Sequence, residues 1–107
     1  MGSAPVVTGR AGDREQGASV ELRFEVHGDR IASASFSAFA CPHLLAAASW
    51  LTERAVGWTR SALENWDWKP AADALQVPAV KFGRLLTLQD AARDAARNWP
   101  DATGSIV

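Results

Sequence analysis

Residues 20–26 alternate without a break. Val20, Leu22, Phe24 and Val26 are apolar, and Glu21, Arg23 and Glu25 are charged. A run of period two has one face for a core and one for water, which is the pattern of a half-buried strand. His27-Gly28-Asp29-Arg30 then reads as a tight turn, because Gly28 takes positive φ without strain. Ile31 to Phe39 reads as the returning strand. Ala32, Ala34, Phe36 and Ala38 fall on one face, and Ser33, Ser35 and Ser37 on the other. The two runs predict an antiparallel hairpin whose small-residue face admits a closely packed helix. A hairpin cannot bury its own apolar face, so the rest of the chain must cover it.

That cover is expected to be helical. The chain changes character at Ala40-Cys41-Pro42, and proline suits the first helical position, where its missing N–H would be unpaired anyway. From His43 to about Val56, Leu44, Leu45, Ala48, Leu51 and Val56 fit a helical stripe, with Gly57 ending it. Thr59 or Ser61 can cap a short helix through Leu63, and Pro70 can start another through Leu75. Val77-Pro78-Ala79-Val80 reads as extended, since Pro78 disfavours helix at Val77. Leu85, Leu88, Ala92, Ala95 and Trp99 mark a final helix over about Lys81 to Asn98. Before the hairpin, only Pro5-Val6-Val7 is apolar; it can begin a short edge strand, and the remainder up to Ala18 reads as loop. Strands first and helices after predict an α+β fold, an antiparallel sheet covered by helices on one face.

At 107 residues the chain is the size of one domain, with residues 1–4 and 100–107 expected to be flexible tails. Eleven basic and 12 acidic residues give a net charge of −1, which excludes a strongly basic nucleic-acid binder. No apolar run approaches the roughly 20 residues of a membrane helix. The N-terminus has Gly, Ser and Pro but no apolar stretch, so no secretory leader is expected. One cysteine cannot form an internal disulfide, and a cytoplasmic location is the expectation.

Cys41 stands out by position. A thiol at a helix N-terminus meets unpaired N–H groups and the positive end of the dipole, and both favour the thiolate. His43, two residues on, offers a second metal ligand or a proton acceptor. Against this stands an inert, buried cysteine, since free Cys is among the most buried residue types. With His27 at the far end of the strand, the chain lacks the four ligands of a zinc site. No phosphate loop or hydrolase motif is present. Five tryptophans are many for this length. Most are expected in the core, but Trp66 and Trp68 flank Asp67 in a loop, where an exposed one would suit a partner surface.

The stretch Phe36-Ser37-Ala38-Phe39-Ala40-Cys41, followed by Leu45-Ala46-Ala47-Ala48-Ser49-Trp50-Leu51-Thr52-Glu53 and Gly57, resembles the central segment of the IscU/NifU N-terminal iron–sulfur cluster scaffold family. Val77-Pro78-Ala79-Val80-Lys81 resembles the family's Leu-Pro-Pro-Val-Lys motif, and Leu85-Leu86-Thr87-Leu88-Gln89-Asp90-Ala91 the start of its last helix. The resemblance covers roughly residues 5 to 99 in order. It implies a three-stranded antiparallel sheet with helices on one side, as in IscU- and SufE-type proteins, with Pro5 to Arg10 as the first strand. By the same resemblance, the family's N-terminal helix is expected to be missing.

The family holds its cluster on three cysteines, with help from an Asp and a His. By the resemblance Cys41 is the middle cysteine. The first falls at Gln16, the Asp at Ala18, and the His-Cys pair at Gly83 and Arg84. One thiolate, with or without His43, cannot hold a cluster in the family's way. No stably bound cofactor is therefore expected, and iron or a cluster only with ligands from a partner or a second subunit. SufE-type proteins of the same fold use one cysteine to accept a persulfide, and Arg84 beside Cys41 would favour that thiolate. Two readings stand open. The first is a degenerate scaffold acting through Cys41 as sulfur acceptor or weak iron site, a carrier rather than a turnover enzyme. The second is a non-catalytic interaction module that keeps the shape alone. Either implies a cysteine desulfurase or another assembly protein as partner, and chaperone contact at Val77–Lys81.

Overall fold

A computed structural model describes residues 5–13, 15 and 17–99. The expected flexible tails, residues 1–4 and 100–107, and Gln16 lie outside the described residues. Three strands, β1 (Val6–Asp13), β2 (Ala18–His27) and β3 (Arg30–Phe39), form one antiparallel sheet in the order β1-β2-β3. Among the described residues four α-helices follow: α1 (Pro42–Ala55), α2 (Arg60–Glu64), α3 (Lys69–Ala74) and α4 (Phe82–Arg97). The fold is α+β, a three-stranded antiparallel sheet with helices, as the patterning predicts.

The alternation of residues 20–26 is realised fully. Val20, Leu22, Phe24 and Val26 are buried, each at 3% exposure or less. Glu21, Arg23 and Glu25 lie on the opposite face, where Arg10 and Arg23 both donate to the Glu21 carboxylate at 2.9 and 2.8 Å. The turn closes at Gly28, at φ +65°. In β3, Ala34, Phe36 and Ala38 are half-buried and the three serines exposed. Ala32 departs from the expected face: it is exposed and Ile31 is buried. The cause is an irregularity in register. Glu25 pairs with Ser33 but Val26 with Ile31, so Ala32 is an extra residue, and the parity of β3 flips across it.

β1 is longer than expected, reaching Asp13, and the Gly- and Arg-containing segment read as loop is strand. Its pairing partners are the whole of β2, from Val6 with Glu25 to Asp13 with Ala18. Tertiary contact replaces the missing local signal, since α4 lies directly on it. The approach is close enough that a β-carbon on Gly9 would collide with the Ala91 carbonyl oxygen and the Ala95 backbone.

α1 begins with Pro42 in its first turn, and Gly57 follows its end at φ +93°. Its buried stripe is Leu44, Ala47, Ala48, Leu51, Thr52 and Ala55. Leu45 and Val56, placed on that stripe by sequence, are 38% and 53% exposed, because the helix turns its alanines to the sheet instead. Thr59 caps α2 by accepting from the Ala62 N–H at 3.2 Å. Pro78 is extended, as expected, but Ala79–Lys81 is a single turn of 3₁₀ helix leading into α4 rather than a continued extended segment. α1 packs on β3, α4 on β1 and β2, and α2 on α4.

The expectation of an exposed tryptophan at Asp67 is not met. Trp66 is 7% exposed, and Trp68 is half-buried against the Phe82 ring, with centroids 4.8 Å apart. The loop is pinned from below, where the Gln89 side-chain oxygen accepts the Trp68 N–H at 3.1 Å.

Candidate functional site

Cys41 is the residue just before α1, at extended backbone angles, and its carbonyl accepts the first helical bond from Leu45 N–H at 3.1 Å. The thiol is half-buried and free. No carboxylate stands in the first turn of α1 to neutralise the positive helix end. The backbone N–H groups of His43 and Leu44, at the start of α1, act on the sulfur.

Burial is the largest single influence on this thiol and pushes its pKa up. The Leu44 and His43 backbone amides and the charges of Lys81 and Arg84 oppose it. Together they prevail, and the thiol sits below its ordinary pKa. Lys81 belongs to the 3₁₀ turn and Arg84 to the first turn of α4. The start of the last helix thus brings two cations into electrostatic reach of the start of the first. Arg84 also reaches the β1–β2 turn: a β-carbon on Gly17 would lie 3.6 Å from its Nη2.

The sheet register explains the convergence. Ser19 pairs with Phe39, so the beginning of β2 and the end of β3 lie side by side, with Gly17 before one and Cys41 after the other. The structure therefore gathers Gly17, Cys41 and Arg84 at one end of the sheet. Gly83 is exposed in the first turn of α4, beside Arg84. Gln16 lies outside the described residues, and Ala18 is buried. His43 is half-buried in the first turn of α1. Among the described residues no three His, Cys, Asp or Glu side chains are grouped to hold a metal ion. Cys41 and His43 are two donors beside two cations, a set that does not fit an iron–sulfur cluster on its own.

Lys81 is the functional candidate that the reading of individual residues passed over. The sequence carried it only as the end of the Val77–Lys81 motif. Its proximity to Cys41 depends on the 3₁₀ turn, which the pattern of apolar residues does not encode. A surface hollow of about 310 Å³ opens elsewhere, on the outer sheet face among Arg10, Ser19, Glu21, Ser37 and Phe39, and Cys41 does not line it. Among the described residues no helix is long and apolar enough to cross a membrane.

Compared with known proteins, the chain matches the family model described as "NifU-like N terminal domain" over residues 2–105. No curated protein matches it. The match extends beyond both ends of the motif resemblance, and the three-stranded antiparallel sheet with helices is consistent with it. The chain belongs to the NifU-like N-terminal domain family, the iron–sulfur cluster assembly scaffolds.

Proposed function

We propose that this scaffold-family domain works as a sulfur acceptor in iron–sulfur cluster assembly, with Cys41 as the acceptor. The observation that carries the reading is a half-exposed thiol at the start of α1 held below its ordinary pKa, with Lys81 and Arg84 close enough to act on it. Sulfur acceptance needs one accessible thiolate and no metal, and that is what this corner offers. A relic cysteine would be expected to lie in the core, where its charged form is costly.

The reaction is thiol–persulfide exchange. The Cys41 thiolate attacks the terminal sulfur of a persulfide on the donor's cysteine. A new S–S bond forms at Cys41, the donor's S–S bond breaks, and the donor cysteine leaves as a thiolate. The terminal sulfur arrives with its own proton or as an anion, so the exchange has no net oxidation or reduction. Arg84 and Lys81 favour the attacking thiolate and then the persulfide anion that replaces it. The donor is a protein that carries a persulfide, a cysteine desulfurase or another iron–sulfur assembly protein. Val77 is buried, but Pro78, Ala79 and Val80 are exposed, Val80 at 86%, and this part of the Val77–Lys81 segment is open to a chaperone. Iron at Cys41 and His43 would be weak and would draw its other ligands from a partner.

The test is transfer of radiolabelled sulfur from a desulfurase charged with cysteine. Label should appear on the wild-type chain, be released by a reducing thiol, and be absent from Cys41→Ser. Equal labelling of Cys41→Ser would refute the assignment.

A further inference from the structure

Charge is unevenly spread around Cys41. Lys81 and Arg84, the charged side chains that act on the thiol, are both positive. No acidic residue stands in the first turn of α1, in the 3₁₀ turn or in the first turn of α4. Neither helix start that meets here therefore has a carboxylate of its own against its positive end. Lys81 has no ion pair among the described residues. Two exposed carboxylates, Asp13 and Glu15, lie at this end of the sheet. In the whole chain acidic residues outnumber basic ones, 12 to 11, so the positive character belongs to the corner and not to the protein.

Apolar surface lies beside that charge. Leu45, in the first turn of α1, donates its N–H to the Cys41 carbonyl at 3.1 Å and is 38% exposed. Val80, directly before Lys81, is 86% exposed. An apolar centre with a charged rim is the make-up of a protein contact.

We propose that Leu45, Val80 and Lys81 dock an acidic segment of the sulfur donor, its carboxylates flanking the cysteine that carries the persulfide. This rests on the reading of Cys41 as the acceptor. Charge complementarity selects the acidic segment, because carboxylates there meet Lys81, Arg84 and two helix starts. A small persulfide would meet the cations without covering Leu45 and Val80, which stand on different elements, whereas a protein segment spans both. The transfer is the exchange described above: the terminal sulfur bonds to the Cys41 sulfur, the donor's S–S bond breaks, and the donor cysteine leaves as a thiolate. Val80 belongs also to the segment open to a chaperone, so donor and chaperone dock in turn.

Anaerobic sulfur transfer from synthetic persulfides to the full chain, read by intact mass, tests this. The donors are the acetylated peptides Leu-Asp-Cys-Asp-Leu, Leu-Asn-Cys-Asn-Leu and Leu-Lys-Cys-Lys-Leu, each with a persulfide on its cysteine. The acidic donor should react about tenfold faster than the neutral one at low ionic strength, and the advantage should vanish in about 1 M salt. In K81E/R84E the ratio of acidic to neutral rates should invert. The ratio is the readout because the thiolate fraction, which these two residues also set, cancels in it. L45S and V80S should each slow transfer from the acidic donor more than they slow alkylation by iodoacetamide. Equal rates from the three peptides would overturn the docking surface and leave sulfur acceptance standing. Transfer from none of them, while a charged desulfurase does modify the chain, would overturn it too, by placing the contact elsewhere on the donor. If the desulfurase also leaves the chain unmodified, the acceptor reading fails with it.

Discussion

Arg84, in the first turn of α4, acts electrostatically on the thiol of Cys41 at the start of α1. The two residues are separated by the whole helical half of the chain. Their approach depends on α4 running back over the sheet so that its start meets the end of β3. Lys81 adds a second charge from the adjoining turn. The corner is thus built from the beginnings of two helices and carries two cations beside a single nucleophile.

The pH dependence of thiol reactivity follows from this arrangement. Cys41 in the folded chain has a pKa below that of an ordinary thiol, so its thiolate persists to lower pH than in the unfolded chain. Alkylation by iodoacetamide should rise with pH and level off, with its midpoint below that of a free cysteine peptide. K81A and R84A should each move the midpoint up, and the double variant further. The same linkage gives stability that is present above the unfolded thiol's pKa and lost as pH falls through the folded value. A wild-type midpoint at or above the peptide's would contradict the electrostatics.

Gly9 marks the closest contact of sheet and helix. G9A should destabilise the fold by about 2–3 kcal/mol, since the new methyl meets the α4 backbone rather than a movable side chain. Urea denaturation followed by circular dichroism measures it. A loss within about 0.5 kcal/mol, the ordinary range for surface changes, would show that α4 does not lie this close to β1.

Gln89, 8% exposed, serves the loop above it by accepting the Trp68 N–H. Q89A should cost about 1–3 kcal/mol, because the Trp68 N–H is left without its partner. The tryptophan emission should also change, as Trp68 loses its fixed position against Phe82. Unchanged stability together with unchanged emission would refute this role.

Much of the framework is legible in the sequence because it rests on local pattern. The alternation of residues 20–26, Gly28 in its turn, Pro42 and Gly57 at the two ends of α1, and the stripe from Leu85 to Trp99 each depend on near neighbours. What escapes local reading depends on distant ones. β1 has few strand-forming residues, and its length is set by pairing with β2 and by contact with α4. Ala32 turns outward because of the register change opposite Val26, and no property of Ala32 itself reveals that. Leu45 and Val56 fit a helical period, but the side of α1 that meets the sheet is chosen by the close packing of its alanines. At the candidate site, Cys41 is legible from its place before Pro42, and Arg84 through the family resemblance. Lys81 required the three-dimensional turn.

The central claim is that Cys41 receives sulfur. Intact-mass measurement after anaerobic incubation with a cysteine desulfurase and cysteine tests it most directly, with wild type and Cys41→Ser side by side. The account predicts the added mass of one sulfur atom on wild type, reversed by a reducing thiol, and none on Cys41→Ser. An unmodified wild-type chain, with a desulfurase shown to charge another acceptor in the same experiment, would contradict it and favour an interaction module that keeps the scaffold's shape without its chemistry.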